Sequence, residues 1–292
     1  MNPALLAARS YPTARAEGLQ LGADTAAWLF LFDDQGDEGP YGRDPELWLA
    51  RAAHVEALIE GKLPPEAVVS PAARALDDLL RRACVGMSDA WSARFRHNFL
   101  QYARTSVSEA SRRAAAVPLD VLGFIAHRRE SGAMNIVFDL AEPIEGTEIP
   151  SEWYRLREFQ HPRLAANDVV CWHNDIVSLR KELAHADVHN LPLVLQRAIG
   201  CDLQEAVDRA AVMTQARIGD FITGRDLMLQ LLDATDLDAG TRLGIRRCLE
   251  VYGAWMNANA VWSFETRRYT DVSSGRPGVT VPAYIEPLLR PD

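Results

Sequence analysis

The distribution of proline most limits what this chain of 292 residues can fold into. No proline occurs between Leu193 and Arg276, and the stretch from Ala72 to Val117 is also free of proline. Elsewhere the prolines stand singly or in short clusters. These predict breaks between helices, because proline lacks the N–H that a helix interior needs. The proline-free stretches therefore favour long helices.

Apolar residues recur at helical spacing between these breaks. In the last long segment, steps of three and four residues connect Leu249, Tyr252, Trp255, Met256, Asn259 and Trp262. No alternation of period two, bounded by turn residues, predicts a strand. We predict an all-α, single-domain helical bundle of about ten helices over residues 1–292. Residues 270–292 hold four prolines and are predicted to form a C-terminal loop.

Composition excludes several classes of function. The formal net charge of −9 gives no overall positive field for nucleic acid. The longest apolar run, Ala26 to Phe32, is far shorter than the roughly 20 residues that span a bilayer. The first residues lack the basic and apolar regions of a signal peptide, and the four cysteines form no C-x-x-C pair. We expect a cytoplasmic protein with neither nucleic-acid binding nor membrane insertion.

An acidic cluster, Asp33-Asp34-Gln35-Gly36-Asp37-Glu38, directly follows the apolar run. On a helix, Asp33 and Asp37 share a face, where like charges repel. A helix that keeps them usually has a compensating cation. The cluster alone leaves two interpretations open: a ligand-binding set, or a solvated helix end before Gly39-Pro40.

A second polar set lies about 140 residues further along, in a long helical pattern. Positions 174, 178 and 182 are offset by only about 40° each on a helix, so Asn174, Ser178 and Glu182 share one stripe. Lys181 falls on the edge of that stripe. Amide, hydroxyl and carboxylate oxygens are ligands that Mg²⁺ takes together with substrate phosphates and waters. Together with the acidic cluster, this spacing is a specific signal.

With these two motifs the chain resembles the bacterial type of class I terpene synthase, which pairs an aspartate-rich motif with N-D-x-x-S-x-x-x-E. Arg268-Tyr269 stands where that family has a C-terminal Arg-Tyr pair. Arg128, followed by Ser131 and Gly132, matches the family's diphosphate-sensing arginine with its linker and effector positions. The resemblance extends from about Tyr11 to Tyr269 and implies a class I terpenoid synthase bundle.

The resemblance implies Mg²⁺-dependent ionisation of an isoprenoid diphosphate, most often farnesyl diphosphate, to a sesquiterpene hydrocarbon or alcohol. It also implies three Mg²⁺ ions and a homodimer. The implied metal ligands are Asp33, Asp37, Asn174, Ser178 and Glu182. The implied diphosphate contacts are Arg128, Lys181, Arg268 and Tyr269. Gly36 stands where the family often has a bulkier residue, which leaves open whether Asp37 or Glu38 contacts the metal.

Helical geometry also predicts the lining of a substrate pocket. Leu29 and Phe30 precede Asp33 by four and three residues and so lie on its face. The other pocket candidates are Gly132, Trp255, Asn259 and Trp262. For any single aromatic residue, ordinary core packing is the commoner explanation. Because a buried amide needs a partner, one hypothesis is that Asn259 positions a water that quenches the cation to an alcohol.

Three alternatives stay open. A chain-elongating prenyl diphosphate synthase shares the fold, but it has two aspartate-rich motifs. A non-catalytic helical binding protein could retain the motifs. A di-iron bundle could use the Glu-x-x-His sequences that start at Glu158 and Glu182. Against it, Pro162 is expected to break or begin a helix, and the sequences that end at His161 and His185 are only 24 residues apart.

Overall fold

The computed structural model describes residues 2–37, 45–63, 70–115, 117–184, 188–266 and 268–269, which form thirteen helices and no strand. The helices are α1 (Pro3–Ser10), α2 (Ala16–Asp37), α3 (Pro45–Ile59), α4 (Pro71–Ala83), α5 (Asp89–Ala115), α6 (Val121–Ser131), α7 (Met134–Asp139), α8 (Ala141–Glu145), α9 (Ser151–Tyr154), α10 (Arg157–Ala184), α11 (Leu191–Ile199), α12 (Leu203–Ala234) and α13 (Ala239–Glu265). The all-α prediction is confirmed. The short helices α7, α8 and α9 account for the excess over ten. The loop predicted at 270–292 lies outside the described residues.

Several helices begin where the prolines predict. Pro3, Pro45 and Pro71 are the first residues of α1, α3 and α4. Proline suits this position because its missing N–H has no partner there in any case. Ser70 caps α4, since its Oγ accepts the N–H of Ala73 at 3.1 Å.

Pro162 was expected to break or begin a helix, and that expectation is wrong. It is the sixth residue of α10, which continues through it. The helix α12 packs closely here. A Cβ at Gly224 would lie 3.0 Å from Pro162 Cδ and 2.7 Å from His161 Nδ1. We attribute the intact helix to this packing, which offsets the cost of about 3 kcal/mol that proline brings to a helix interior.

The bundle surrounds a central cavity. The helix α10 packs along α12 and α13, and α1 packs against both α2 and α13. In the predicted apolar run, Trp28 stacks on Phe32 with ring centroids 5.0 Å apart, while Leu29 and Phe30 line the cavity. Within the part of the chain that the structure describes, no helix has the length and hydropathy to cross a membrane.

A largely buried cluster of ionisable side chains joins α5, α7, α8 and α10. Arg163 Nη2 donates to Asp139 Oδ1 at 2.9 Å, and Arg94 pairs with Glu142. The backbone N–H of Ile149 donates to the other Glu142 oxygen at 2.8 Å. Burial raises the pKa of Glu142 to about 7, against the opposing charge of Arg94.

This shifted pKa predicts that stability falls as pH rises. Between the ordinary glutamate pKa of 4.5 and about 7, the folded protein keeps a proton on Glu142 that the unfolded chain releases. The contribution to the free energy of unfolding is therefore complete below that range and is lost as pH rises through it. Urea unfolding at pH 5, 6, 7 and 8 should show a smaller loss in Glu142→Gln than in the wild type. Parallel pH profiles for the two proteins would contradict the assignment.

Candidate active site

A cavity of about 170 Å³ lies between α2, α5, α6, α7, α10 and α13. Its apolar lining includes Leu29, Phe30, Met134, Val137, Val170 and Trp255. Its polar lining includes Asp33, Glu109, Arg128, Asn174, Ser178, Lys181, Glu182, Arg268 and Tyr269. The structure therefore brings both predicted motifs to the same cavity.

The stripe on α10 is held together by its own hydrogen bonds. Ser178 Oγ lies 2.5 Å from Glu182 Oε1 and 2.7 Å from the Asn174 carbonyl oxygen. The second Glu182 oxygen accepts a hydrogen bond from Asn190 Nδ2 at 2.7 Å. Asn190 precedes α11, and no spacing in the sequence pointed to it. Asn190 therefore holds the Glu182 carboxylate from the start of a different helix, α11.

Arg128 is oriented by Asp175, the second residue of the N-D pair. Its Nε and Nη2 lie 2.9 Å and 2.8 Å from Asp175 Oδ1, and Nη2 also donates to Asn174 Oδ1 at 3.1 Å. Asp175 is fully buried, and its other oxygen accepts the N–H of Leu191 at 3.2 Å. Burial raises the pKa of Asp175, and the Arg128 guanidinium opposes that shift. The motif contained Asp175, but its orienting role depends on a pairing between helices.

The acidic end of α2 meets Arg268. Arg268 Nη2 lies 2.8 Å from Asp33 Oδ2, and its Nη1 lies 2.6 Å from Asp34 Oδ1. Lys181 Nζ lies 3.7 Å from the same Asp34 oxygen. These two cations lie against the carboxylates of Asp33 and Asp34. The backbone of Asp37 belongs to α2, but its side chain and all of Glu38 lie outside the described residues.

Tyr269 and the nearby rings connect the two sides of the site. Asn174 Nδ2 donates to Tyr269 Oη at 2.6 Å, and the Arg268 guanidinium lies 5.1 Å from the centroid of the Phe30 ring. Trp262 stacks behind Phe30, with ring centroids 5.2 Å apart, and donates to the carbonyl oxygen of Asn2. Trp262 was predicted to line the pocket, but it is not among the lining residues; its ring stacks on Phe30 and lies edge-on to Tyr269 at 6.1 Å.

The remaining pocket candidates, Gly132, Trp255 and Asn259, line the cavity. Asn259 Nδ2 donates to the Val170 carbonyl oxygen at 3.3 Å, so the buried amide has a partner within the protein. The idea that it also positions a water stays a prediction. At Gly132 a Cβ would collide with Cys171 Sγ, which explains why this close approach of α6 to α10 needs glycine.

Glu109 is a cavity residue that the sequence reasoning missed. Its Oε1 lies 3.1 Å from His127 Nε2, and His189 also lines the cavity. Burial acts to raise the pKa of Glu109, but the His127 contact and nearby positive charges lower it overall. His127 and His189 carried no signal of their own, since the three residues come from separate parts of the chain.

The donor set suits a magnesium ion. Asp33, Asn174, Ser178 and Glu182 each offer a side-chain oxygen, the ligand type that Mg²⁺ prefers. Among the residues that the structure describes, no three His, Cys, Asp or Glu side chains form a metal-holding group by themselves. Amide and hydroxyl oxygens make up half of this set, and substrate phosphates and waters usually complete such sites.

Comparison with known proteins places these features in a family. The model of terpene synthase family 2, C-terminal metal binding, matches residues 24–220. The chain is 35% identical over 280 residues to (-)-delta-cadinene synthase of Streptomyces clavuligerus, covering 96% of this chain and 83% of that protein. It is 36% identical over 265 residues to (+)-T-muurolol synthase of Roseiflexus castenholzii, named as cyclising (2E,6E)-farnesyl diphosphate, covering 91% of this chain and 79% of that protein.

Solved structures agree with the sequence comparison. Germacradien-4-ol synthase from Streptomyces citricolor superposes with a TM-score of 0.80 at 31% identity, covering 90% of this chain and 83% of that one. The predicted resemblance and the predicted fold are both confirmed. The residues of the di-iron alternative lie in different places. His161 packs against α12 near Gly224, whereas Glu182 lines the cavity. His185 lies outside the described residues. The chain therefore belongs to the terpene synthase family, of the class I bacterial type that its two motifs predicted.

Proposed function

We propose that this protein cyclises farnesyl diphosphate to a sesquiterpene hydrocarbon or alcohol and releases diphosphate, with Mg²⁺ as cofactor. The observation that carries the proposal is one cavity with oxygen ligands and cationic donors beside an apolar, partly aromatic wall. The farnesyl diphosphate reaction named for the (+)-T-muurolol synthase supports the substrate. A homodimer and a cytoplasmic location belong to the proposal, but the chemistry does not depend on them.

The polar residues divide the work of ionisation. Asp33, with Asp37, would hold two of three Mg²⁺ ions, and Asn174, Ser178 and Glu182 would hold the third. Bound metal neutralises the charge that develops on the leaving diphosphate. The side chains of Arg128, Lys181 and Arg268 donate to phosphate oxygens, and Tyr269 adds a hydrogen bond.

The interaction energies of charged groups and of aromatic rings indicate which residues control ionisation and which influence the product. A unit charge pair at about 4 Å is worth roughly 4 kcal/mol at an effective dielectric of about 20. A cation–π contact is worth about 0.5 to 2 kcal/mol. The charged end of the cavity therefore controls loss of diphosphate. Phe30 and Trp255 stabilise the resulting cation more weakly and influence which product forms.

Incubation with candidate substrates tests this proposal. Purified protein with Mg²⁺ and farnesyl diphosphate should give cyclic fifteen-carbon products by gas chromatography and mass spectrometry. EDTA should abolish them, and geranyl and geranylgeranyl diphosphate should be poorer substrates. Absence of volatile products from all three diphosphates would contradict the proposal. So would formation of longer diphosphates when isopentenyl diphosphate is added, which a prenyl diphosphate synthase would give.

A further inference from the structure

The cavity contains a helix break that its own residues do not explain. Gly132 and Ala133 separate α6 from α7, and Ser131, Gly132, Ala133 and Met134 all line the cavity. Ala133 has φ +59°, in the left-handed region that residues with a Cβ rarely adopt. No side chain caps the start of α7. Such a conformation persists where the surrounding structure over-determines it.

Arg163 on α10 binds both ends of α7. Its Nη1 donates to Asn135 Oδ1 at 2.7 Å, and its Nη2 donates to the Asn135 carbonyl oxygen at 3.1 Å. Nη2 also donates to Asp139 Oδ1 at 2.9 Å. Arg163 is 4% exposed, so little water competes for these bonds. We call this set of contacts the Arg163 clamp.

The same network reaches the end of α6. The Arg129 carbonyl oxygen accepts hydrogen bonds from Asn135 Nδ2 at 3.4 Å and from Asn167 Nδ2 at 3.0 Å. Asn135 therefore joins the Arg163 clamp to the last turn of α6. Both sides of the break are fixed to α10.

Arg163 is remote from the diphosphate end of the site. It precedes Asn174 by eleven residues on α10, which is about 16 Å along the helix axis. It is not among the residues that line the cavity. Any effect of Arg163 on the reaction is therefore indirect, and its hydrogen bonds to Asn135 and Asp139 connect it to α7.

We propose that Arg163 is a positioning residue that holds the α6–α7 break in the orientation that shapes the cavity beside the isoprenoid chain. It controls which product the cation gives, and not the binding or ionisation of the diphosphate. The consequence for products rests on the proposed function, whereas the clamp itself does not. Displacements of about 1 Å can change reaction outcomes strongly when reacting groups must be aligned.

The test compares Arg163→Gln, Arg163→Lys and Asn135→Ala. In Arg163→Gln, Asp139 still accepts from Asn98 Nδ2 at 2.6 Å and lies 3.5 Å from Arg94 Nε. We therefore expect this variant to fold. Lysine keeps the charge but cannot bond two groups in the planar arrangement of arginine. Arg242→Gln is the matched control, because Arg242 binds backbone carbonyl groups after α12 and does not line the cavity.

The first measurement is amide hydrogen exchange of the protein without ligand. Exchange in the segment 131–139 should rise about tenfold or more in Arg163→Gln and Asn135→Ala, because the local opening free energy falls. The segment 174–182 should be unchanged. Arg163→Lys should lie between the wild type and Arg163→Gln, and Arg242→Gln should match the wild type in both segments.

The second measurement is the product distribution from farnesyl diphosphate. The share of the main product should fall about twofold or more in Arg163→Gln, with kcat, KM and Mg²⁺ dependence within about threefold of the wild type. Unchanged exchange in both disrupting variants would overturn the Arg163 clamp, whether or not the protein turns over any diphosphate. Raised exchange with unchanged products would overturn the positioning role. The same product change in Arg242→Gln would overturn it too.

Discussion

Replacement of Asn174 by alanine is expected to lower turnover of farnesyl diphosphate about a hundredfold or more. The side chain is at the centre of the polar site: Oδ1 accepts from Arg128 Nη2, and Nδ2 donates to Tyr269 Oη. Alanine removes the oxygen proposed to ligate Mg²⁺ and both of these bonds. Diphosphate release in steady-state assays measures the loss, and a Mg²⁺ titration should show weaker apparent metal affinity.

Two further variants make the Asn174 result specific. Asn174→Asp keeps a ligating oxygen but loses the donor to Tyr269, so it should retain more activity than alanine. Glu158→Gln changes an exposed residue of the same helix and should leave turnover unaltered. Near-normal turnover in Asn174→Ala would contradict the proposed metal site.

Replacement of Arg128 by alanine should have an effect of similar size, about a hundredfold or more on turnover. The guanidinium lines the cavity and is aimed there by Asp175. Alanine removes its donors to the leaving diphosphate. Arg128→Lys keeps one positive charge without the fork of N–H groups, so we expect partial activity. Diphosphate release again gives the rate.

Loss of stability must be separated from loss of catalysis in this case. Arg128→Ala leaves the buried Asp175 without its charged partner, and breaking such a pair can cost about 3 to 5 kcal/mol. The double variant Arg128→Met with Asp175→Asn removes both charges and should recover much of the thermal stability. Its turnover should stay low. Wild-type turnover in the double variant would show that Arg128 acts only as a structural partner of Asp175.

Much of the fold follows from local properties of the chain. Pro3, Pro45 and Pro71 begin helices because proline is tolerated at that position in any fold. Pro162 shows the limit of this reasoning, since the glycine of α12 that lets the two helices approach lies more than sixty residues further along the chain. A local rule cannot include a partner that only packing brings near.

In the candidate site, as in the fold, some features follow from local sequence and others depend on packing between distant residues. The spacing of Asn174, Ser178 and Glu182 determined that their oxygens share a face, because the period of an α-helix is constant. The groups around that face come from other parts of the chain. Arg128 on α6 is oriented by Asp175, and Asn190, just before α11, holds Glu182. Glu109 on α5 enters the cavity beside His127. Trp262 has the predicted helical phase, but its ring stacks on Phe30 and does not line the cavity.

By itself, the sequence determined the all-α class, the two motifs that we propose to bind metal, and the family to which the chain belongs. Helical periodicity and motif spacing are properties of a single segment and can be read without the rest of the molecule. Only the tertiary structure decided which side chains meet across the cavity and which residue holds the α6–α7 break. Those contacts depend on how separate helices pack, and that packing is set by the complementary shapes of many distant residues together.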